Sequence, residues 1–97
     1  MLRHIVMIKY KTEFDANEVS IKLKSMLINL SEGIASLKNI EVGININTRP
    51  NAYNIVLTAD FNDESGLDNY RVHPEHVKVL DYLAVVKDKA TVVDYFI

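Results

Sequence analysis

The sequence predicts an α+β fold in the order β-α-β-β-α-β: a four-stranded antiparallel sheet with both helices on one face. Three observations predict it. Apolar residues alternate with period two in four segments and recur at helical spacing in the stretches between. No linker, repeat or low-complexity segment divides the chain, so residues 1–97 form one domain. Gathering helices on one side of an antiparallel sheet buries both kinds of apolar face at once.

Residues 2–10 form the first strand, with Leu2, His4, Val6, Ile8 and Tyr10 on one side and Arg3, Ile5, Met7 and Lys9 on the other. Asp15 followed by Glu18 fits a helix start, a carboxylate cap with a first-turn acid favoured by the helix dipole. Val19, Leu23, Met26, Leu27 and Leu30 then recur at helical spacing, and Gly33 supplies a stop. Residues 40–47 read as a second strand, with Ile40, Val42, Ile44 and Ile46 inward against Glu41, Gly43, Asn45 and Asn47. Arg49-Pro50-Asn51 is turn chemistry, because proline presets its own φ. The third strand carries Tyr53, Ile55, Leu57, Ala59 and Phe61 on one face. Leu67 and Tyr70 fit a short helical turn closed by Pro74, where a further helix begins with Val77, Leu80, Leu83 and Ala84. Residues 90–97 make the last strand.

Size and charge narrow the function. A chain of 97 residues buries only about 60–70% of its unfolded surface, so its own reserve of stability is modest. The absence of cysteine removes disulfides, thiolate nucleophiles and thiolate metal sites. A net charge of −2 offers no basic field to nucleic acid or anionic lipid. Arg3, His4 and Lys9 interrupt any signal-peptide core, and nothing approaches the roughly 20 apolar residues of a membrane span. A small cytoplasmic domain, without nucleic-acid or membrane partners, is expected.

The sheet face away from the helices would carry Ile5, Met7, Val56 and Thr58, together with Thr91, Val93, Tyr95 and Ile97. At roughly 25 cal/mol per Å² of apolar surface, leaving that face wet would forfeit several kcal/mol. The simplest cover is the same face of a second copy about a two-fold axis, which predicts a homodimer.

The chemistry concentrates in Tyr70-Arg71-Val72-His73-Pro74-Glu75-His76. Histidine trades protons near neutrality, and a tyrosine hydroxyl donates or accepts a hydrogen bond at the same pH. His76 is a candidate general base; alternatively it only bonds across the helix–sheet seam. His73 is a pocket residue or a helix cap. Tyr70 is a functional hydroxyl or a core ring, and His4 a pocket residue or a satisfied core histidine. Asp94 could accept a hydrogen bond from a neighbouring strand or loop. His73, Glu75 and His76 make a weak metal signal with no further ligand assignable, so no metal site is predicted.

The opening Met1-Leu-Arg-His4-Ile-Val-Met-Ile-Lys-Tyr10, the run Tyr70-x-x-His73-Pro74-x-His76 and the ending Val93-Asp94-Tyr95 resemble the stress-responsive A/B barrel (Dabb) family. The likeness covers nearly the whole chain. It implies a ferredoxin-like domain that pairs into a dimeric α+β barrel with the helices outside. It also implies similarity to members of the olivetolic acid cyclase type, which close a ring by an aldol-type reaction without a cofactor. On that likeness Tyr70 and His76 are catalytic. The pocket between helices and sheet takes His4, Val6, Ile8, Leu57, His73 and Val92, beside Leu23 and Leu27 of the first helix. Where the cyclase has first-helix aromatics this chain has aliphatic and methionine side chains, which speaks against a polyketide substrate.

Two classes of function follow. One is a cofactor-free enzyme abstracting a proton from a small carbonyl compound, with a cofactor-free monooxygenase as a variant by fold analogy. The other is a non-catalytic dimer that binds a small hydrophobic ligand or serves stress tolerance. A cleft of roughly 300 Å³ or more reaching both Tyr70 and His76 would favour the enzyme.

Overall fold

The computed structural model describes every residue from Met1 to Ile97. Its elements are β1 (Leu2–Tyr10), α1 (Ala16–Gly33), β2 (Asn39–Ile44), β3 (Ile55–Phe61), α2 (Glu64–Val72), α3 (Pro74–Val86) and β4 (Lys87–Phe96). The strands form one sheet in the order β2-β3-β1-β4, antiparallel throughout. This is the ferredoxin-like arrangement. No helix is long and apolar enough to cross a membrane.

Capping sets the helix starts. The Asp15 carboxylate accepts from the Glu18 amide at 3.0 Å, and Asp63 accepts from Gly66 at 2.9 Å. These bonds satisfy amides that have no partner within the helix. Pro74 cannot sit inside a helix, so it separates α2 from α3 and occupies the first turn of the second. His73 is the residue between them, extended at φ −63°, ψ 136°.

The core lies between the helices and the inner sheet face. Leu23, Ala59, Phe61 and Tyr70 are wholly inaccessible, and Leu2, Ile8, Ile55 and Leu57 are nearly so. The outer face holds one polar anchor. Arg3 donates to buried Asp60 through Nε at 2.9 Å and Nη2 at 3.1 Å, and Asn39 adds a contact at 3.4 Å. The guanidinium holds the Asp60 carboxyl below the usual carboxylate range. Around it Met7, Val93, Tyr95 and Ile97 stand exposed.

Several expectations need correction. β2 ends at Ile44, so Ile46 is not inward but 96% exposed. The Asn45 side chain accepts from the Asn47 amide, and the Asn47 side chain from the Arg49 amide. Those local turns compete with the ladder and lead the chain off the sheet. Tyr53 also precedes β3, its ring lying beneath the Lys89 ammonium. In α3 the buried positions are Val79 and Val86, while Val77 and Leu80 are exposed. β4 begins at Lys87, directly after α3 with no loop between them.

Candidate active site

The site lies where the helix layer stops short of the sheet edge. A cavity of about 360 Å³ opens between α3 and the inner faces of β1 and β4. Val6, Ile8 and Leu57 form its floor with Ala90 and Val92. Leu27, Val79, Leu80 and Leu83 close it from the helix side. His4, Tyr70, Arg71 and His76 supply its polar groups at one end, and Lys87 reaches it from the other. A larger concavity of about 600 Å³ lies on the outer sheet face, against Met7, Gly43, Tyr53 and Val56. It contains no acid or imidazole, so the smaller cavity is the one equipped for proton transfer.

Tyr70 comes from the last turn of α2 and is the centre of the cluster. Its ring packs 5.0 Å from that of Phe61, 4.2 Å from that of His76 and 6.3 Å from that of His4. The residue is fully buried, yet its hydroxyl has no hydrogen-bond partner in the protein. The contrast with Tyr10 is direct: that buried hydroxyl pairs with Ser20 Oγ at 2.8 Å. Burial pushes the Tyr70 phenol up to about 12. It therefore keeps its proton at neutral pH and can donate it in a hydrogen bond.

His76 sits in the first turn of α3, with Nδ1 3.1 Å from the Arg71 carbonyl oxygen. A carbonyl only accepts, so Nδ1 carries the proton, and Nε2 of the neutral ring holds the lone pair. Burial lowers the His76 pKa below its ordinary value. The Arg71 carbonyl opposes the shift, while the charges of His4 and Arg71 add to it. A lowered pKa keeps the ring in its basic form at neutral pH.

The second imidazole is anchored. His4 Nδ1 donates to Asp94 Oδ1 at 2.5 Å, and Asp94 Oδ2 lies 3.4 Å from Arg71 Nη2. The same guanidinium reaches Asp68 at 3.3 Å. Asp94 thus joins β4 to β1 and α2 at the polar end of the cavity. The cluster offers a buried hydroxyl donor, a neutral imidazole with a free lone pair and a carboxylate-held second imidazole.

Leu23 lies wholly in the core, and eight of the sequence-predicted residues, His4, Val6, Ile8, Leu27, Leu57, Tyr70, His76 and Val92, line this one cavity. His73 does not, and its assignment to the pocket is corrected. Its Nδ1 accepts from the Glu75 amide at 3.1 Å as the cap of α3, and its ring faces a separate shallow groove near Ile34 and Asn69. Arg71 and Lys87 were not predicted as cavity residues. Arg71 at least lies inside the Tyr70–His76 run, whereas no sequence signal marks Lys87.

A search of curated proteins gives no significant match. Among solved structures, a dimeric ferredoxin-like protein of unknown function from Bacteroides fragilis superimposes with a TM-score of 0.90 at 30% identity, over 99% of this chain and 95% of that one. A second dimeric ferredoxin-like protein, from Thermobifida fusca, gives 0.86 at 24% identity, covering 99% of this chain and 90% of that one. A hydroxynitrile lyase from Passiflora edulis gives 0.83 at 18% identity, over 99% and 92%. At such identity the lyase shares the fold and nothing more is implied. The family model of the Stress responsive A/B Barrel Domain matches residues 2–97, and the chain belongs to that family.

Proposed function

We propose that this protein is a cofactor-free enzyme that removes a proton from a small carbonyl compound bound between α3 and β4. The observation carrying this reading is the buried, unpartnered hydroxyl of Tyr70, whose ring packs 4.2 Å from that of His76. Leaving such a group unsatisfied costs about 1–3 kcal/mol, and a ligand oxygen would relieve it. In the proposed step His76 Nε2 takes a proton from the carbon next to the carbonyl. The C–H electron pair becomes the C=C bond of an enolate, and the carbonyl π pair moves onto oxygen. Tyr70 donates its hydrogen bond to that oxygen as charge develops there. The imidazolium returns its proton when product forms. Resemblance to cyclase-type members supports the same two residues. The lyase neighbour, with a fold this close, supports only the compatibility of the fold with lyase chemistry.

The working unit in this reading is a homodimer joined through the outer sheet face. Met7 at 38%, Val93 at 54% and Ile97 at 58% exposure support it, as do neighbours described as dimeric.

Proton abstraction can be followed before the full reaction is known. Small ketones and aldehydes incubated with the protein in D2O should exchange their α-protons faster than in buffer, as read by proton NMR. His76→Ala should slow the exchange by a factor of order 10²–10⁴, the usual contribution of a general base. Full exchange rates in both His76→Ala and Tyr70→Phe would remove the pair from any catalytic role. A non-catalytic ligand-binding dimer would then be the better reading.

A further inference from the structure

The cavity is long and its two ends differ in charge balance. Its floor follows β1 from His4 to Ile8, about 13 Å at roughly 3.3 Å per residue, and continues toward Lys87. At the His4 end the Arg71 guanidinium is already met by the carboxylates of Asp68 and Asp94. At the far end Lys87 lines the cavity and takes part in no ion pair. The adjoining Asp88 follows Lys87 along β4, where successive side chains point to opposite faces. Lys11, also outside every ion pair, joins the chain here through its amide bond to the Val86 carbonyl at 2.8 Å. Between the ends the walls are apolar.

We propose that the occupant carries an anionic group at the end remote from its carbonyl, paired with Lys87. This rests on the reading above that the carbonyl oxygen sits at Tyr70. A volume of about 360 Å³ holds on the order of a dozen water-sized groups at about 30 Å³ each. The substrate class is therefore a medium-chain carbonyl compound of about eight to ten carbons ending in a carboxylate or a phosphate. Lysine presents a point charge rather than a fork, so it does not choose between those two anions.

Three probes of one shape test this on the full-length protein: octanoate, octanamide and octyl phosphate, titrated by calorimetry. Octanoate, octyl phosphate or both should bind about tenfold tighter than octanamide, the size of one charge-assisted hydrogen bond. The tighter of the two names the anion. Lys87→Gln should abolish the preference and leave octanamide unchanged, whereas Lys87→Arg should keep it. His76→Ala should keep the preference for the anion over the amide, whatever it does to the affinity for all three probes. If that variant loses exchange activity and keeps the preference, the catalytic reading and this one both stand. If proton exchange is absent while Lys87-dependent binding persists, the catalytic reading alone fails. Equal affinity for acid, phosphate and amide overturns the proposal. So does a charge preference that survives Lys87→Gln and disappears in Arg71→Gln, because the anion would then lie at the wrong end.

Discussion

β1 and β4 are neighbours in the sheet, paired from Leu2 with Phe96 to Tyr10 with Lys87, and both carry apolar residues on each face. Their environments are opposite. On β1 the inner residues Leu2, Ile8 and Tyr10 are at most 4% exposed, whereas Val92 and Phe96 of β4 are 51% and 63% exposed on the same side of the sheet. Apolar content does not separate the strands; helix coverage does. α1 packs against β2 and α3, and the helix layer covers the inner face of β1 but leaves β4 open. An apolar strand left wet on both sides marks where something else docks. In the functions proposed above, a ligand takes the inner side and a second copy takes the outer.

Val93→Asp is the largest break in that comparison. It places a carboxylate in the proposed interface, where an unpaired charge costs about 3–5 kcal/mol. Sedimentation should show the dimer dissociating at concentrations where the parent remains assembled, and melting temperature should fall with it. A parent that sediments as a folded monomer at micromolar concentration would leave the outer face of β4 without a partner.

Truncating one residue on each strand comes next. Leu2→Ala should cost about 2–5 kcal/mol in urea unfolding, because the cavity it leaves is enclosed. Val92→Ala, facing an open slot, should cost less than about 1 kcal/mol. Equal losses would mean that β4 is buried as deeply as β1 in the working assembly, and the distinction between them would fail.

Alternation made β1 and β3 legible in the sequence, because their inner faces are covered and their ladders complete. The helix boundaries at Asp15 and Pro74 were legible for the same local reason: each rests on a backbone constraint within one turn. The alternation continues through Ile46 to Asn47, three residues past the end of β2, but the Asn45 and Asn47 side chains take the backbone amides first. α3 is apolar almost all round from Val77 to Val86, so its phase was ambiguous and the Val79–Val86 stripe was missed. The charged start of β4, Lys87-Asp88-Lys89, does not look like a strand, as is common for an exposed edge. Tyr70 and His76 stood out through their chemistry. The pairing of His4 with Asp94 spans the full length of the chain, and only the β1–β4 register makes it.

The two buried tyrosines give a smaller and more specific test. Tyr10→Phe removes the partner of Ser20 and should destabilise the protein by about 1 kcal/mol. Tyr70→Phe removes a hydroxyl that has no partner, so stability should hold or rise by up to about 1 kcal/mol while proton exchange slows. A loss of stability equal to that of Tyr10→Phe would show that the Tyr70 hydroxyl is satisfied within the fold, and its availability to a ligand would be in question.

The smallest effect concerns pH, and it asks whether the polar end of the slot is dry like β1 or wet like β4. His76 has its pKa lowered in the fold, chiefly by burial and further by the charges of His4 and Arg71. In the unfolded chain it titrates near 6.5. Between those two values the unfolded chain binds a proton that the native state does not, so stability rises with pH across that window. The contribution is complete above about 6.5 and is lost as pH falls through the folded value. The difference between the parent and His76→Gln reads out this residue. Melting temperatures from about pH 5 to 8 should show the parent losing more stability than the variant below about 6.5. The acid limb of proton exchange should lie below about 6.5 as well, because the lone pair on Nε2 survives to lower pH. Parallel melting curves would mean that His76 is solvated as freely as β4, and the lowered pKa that keeps it a base would lose its cause.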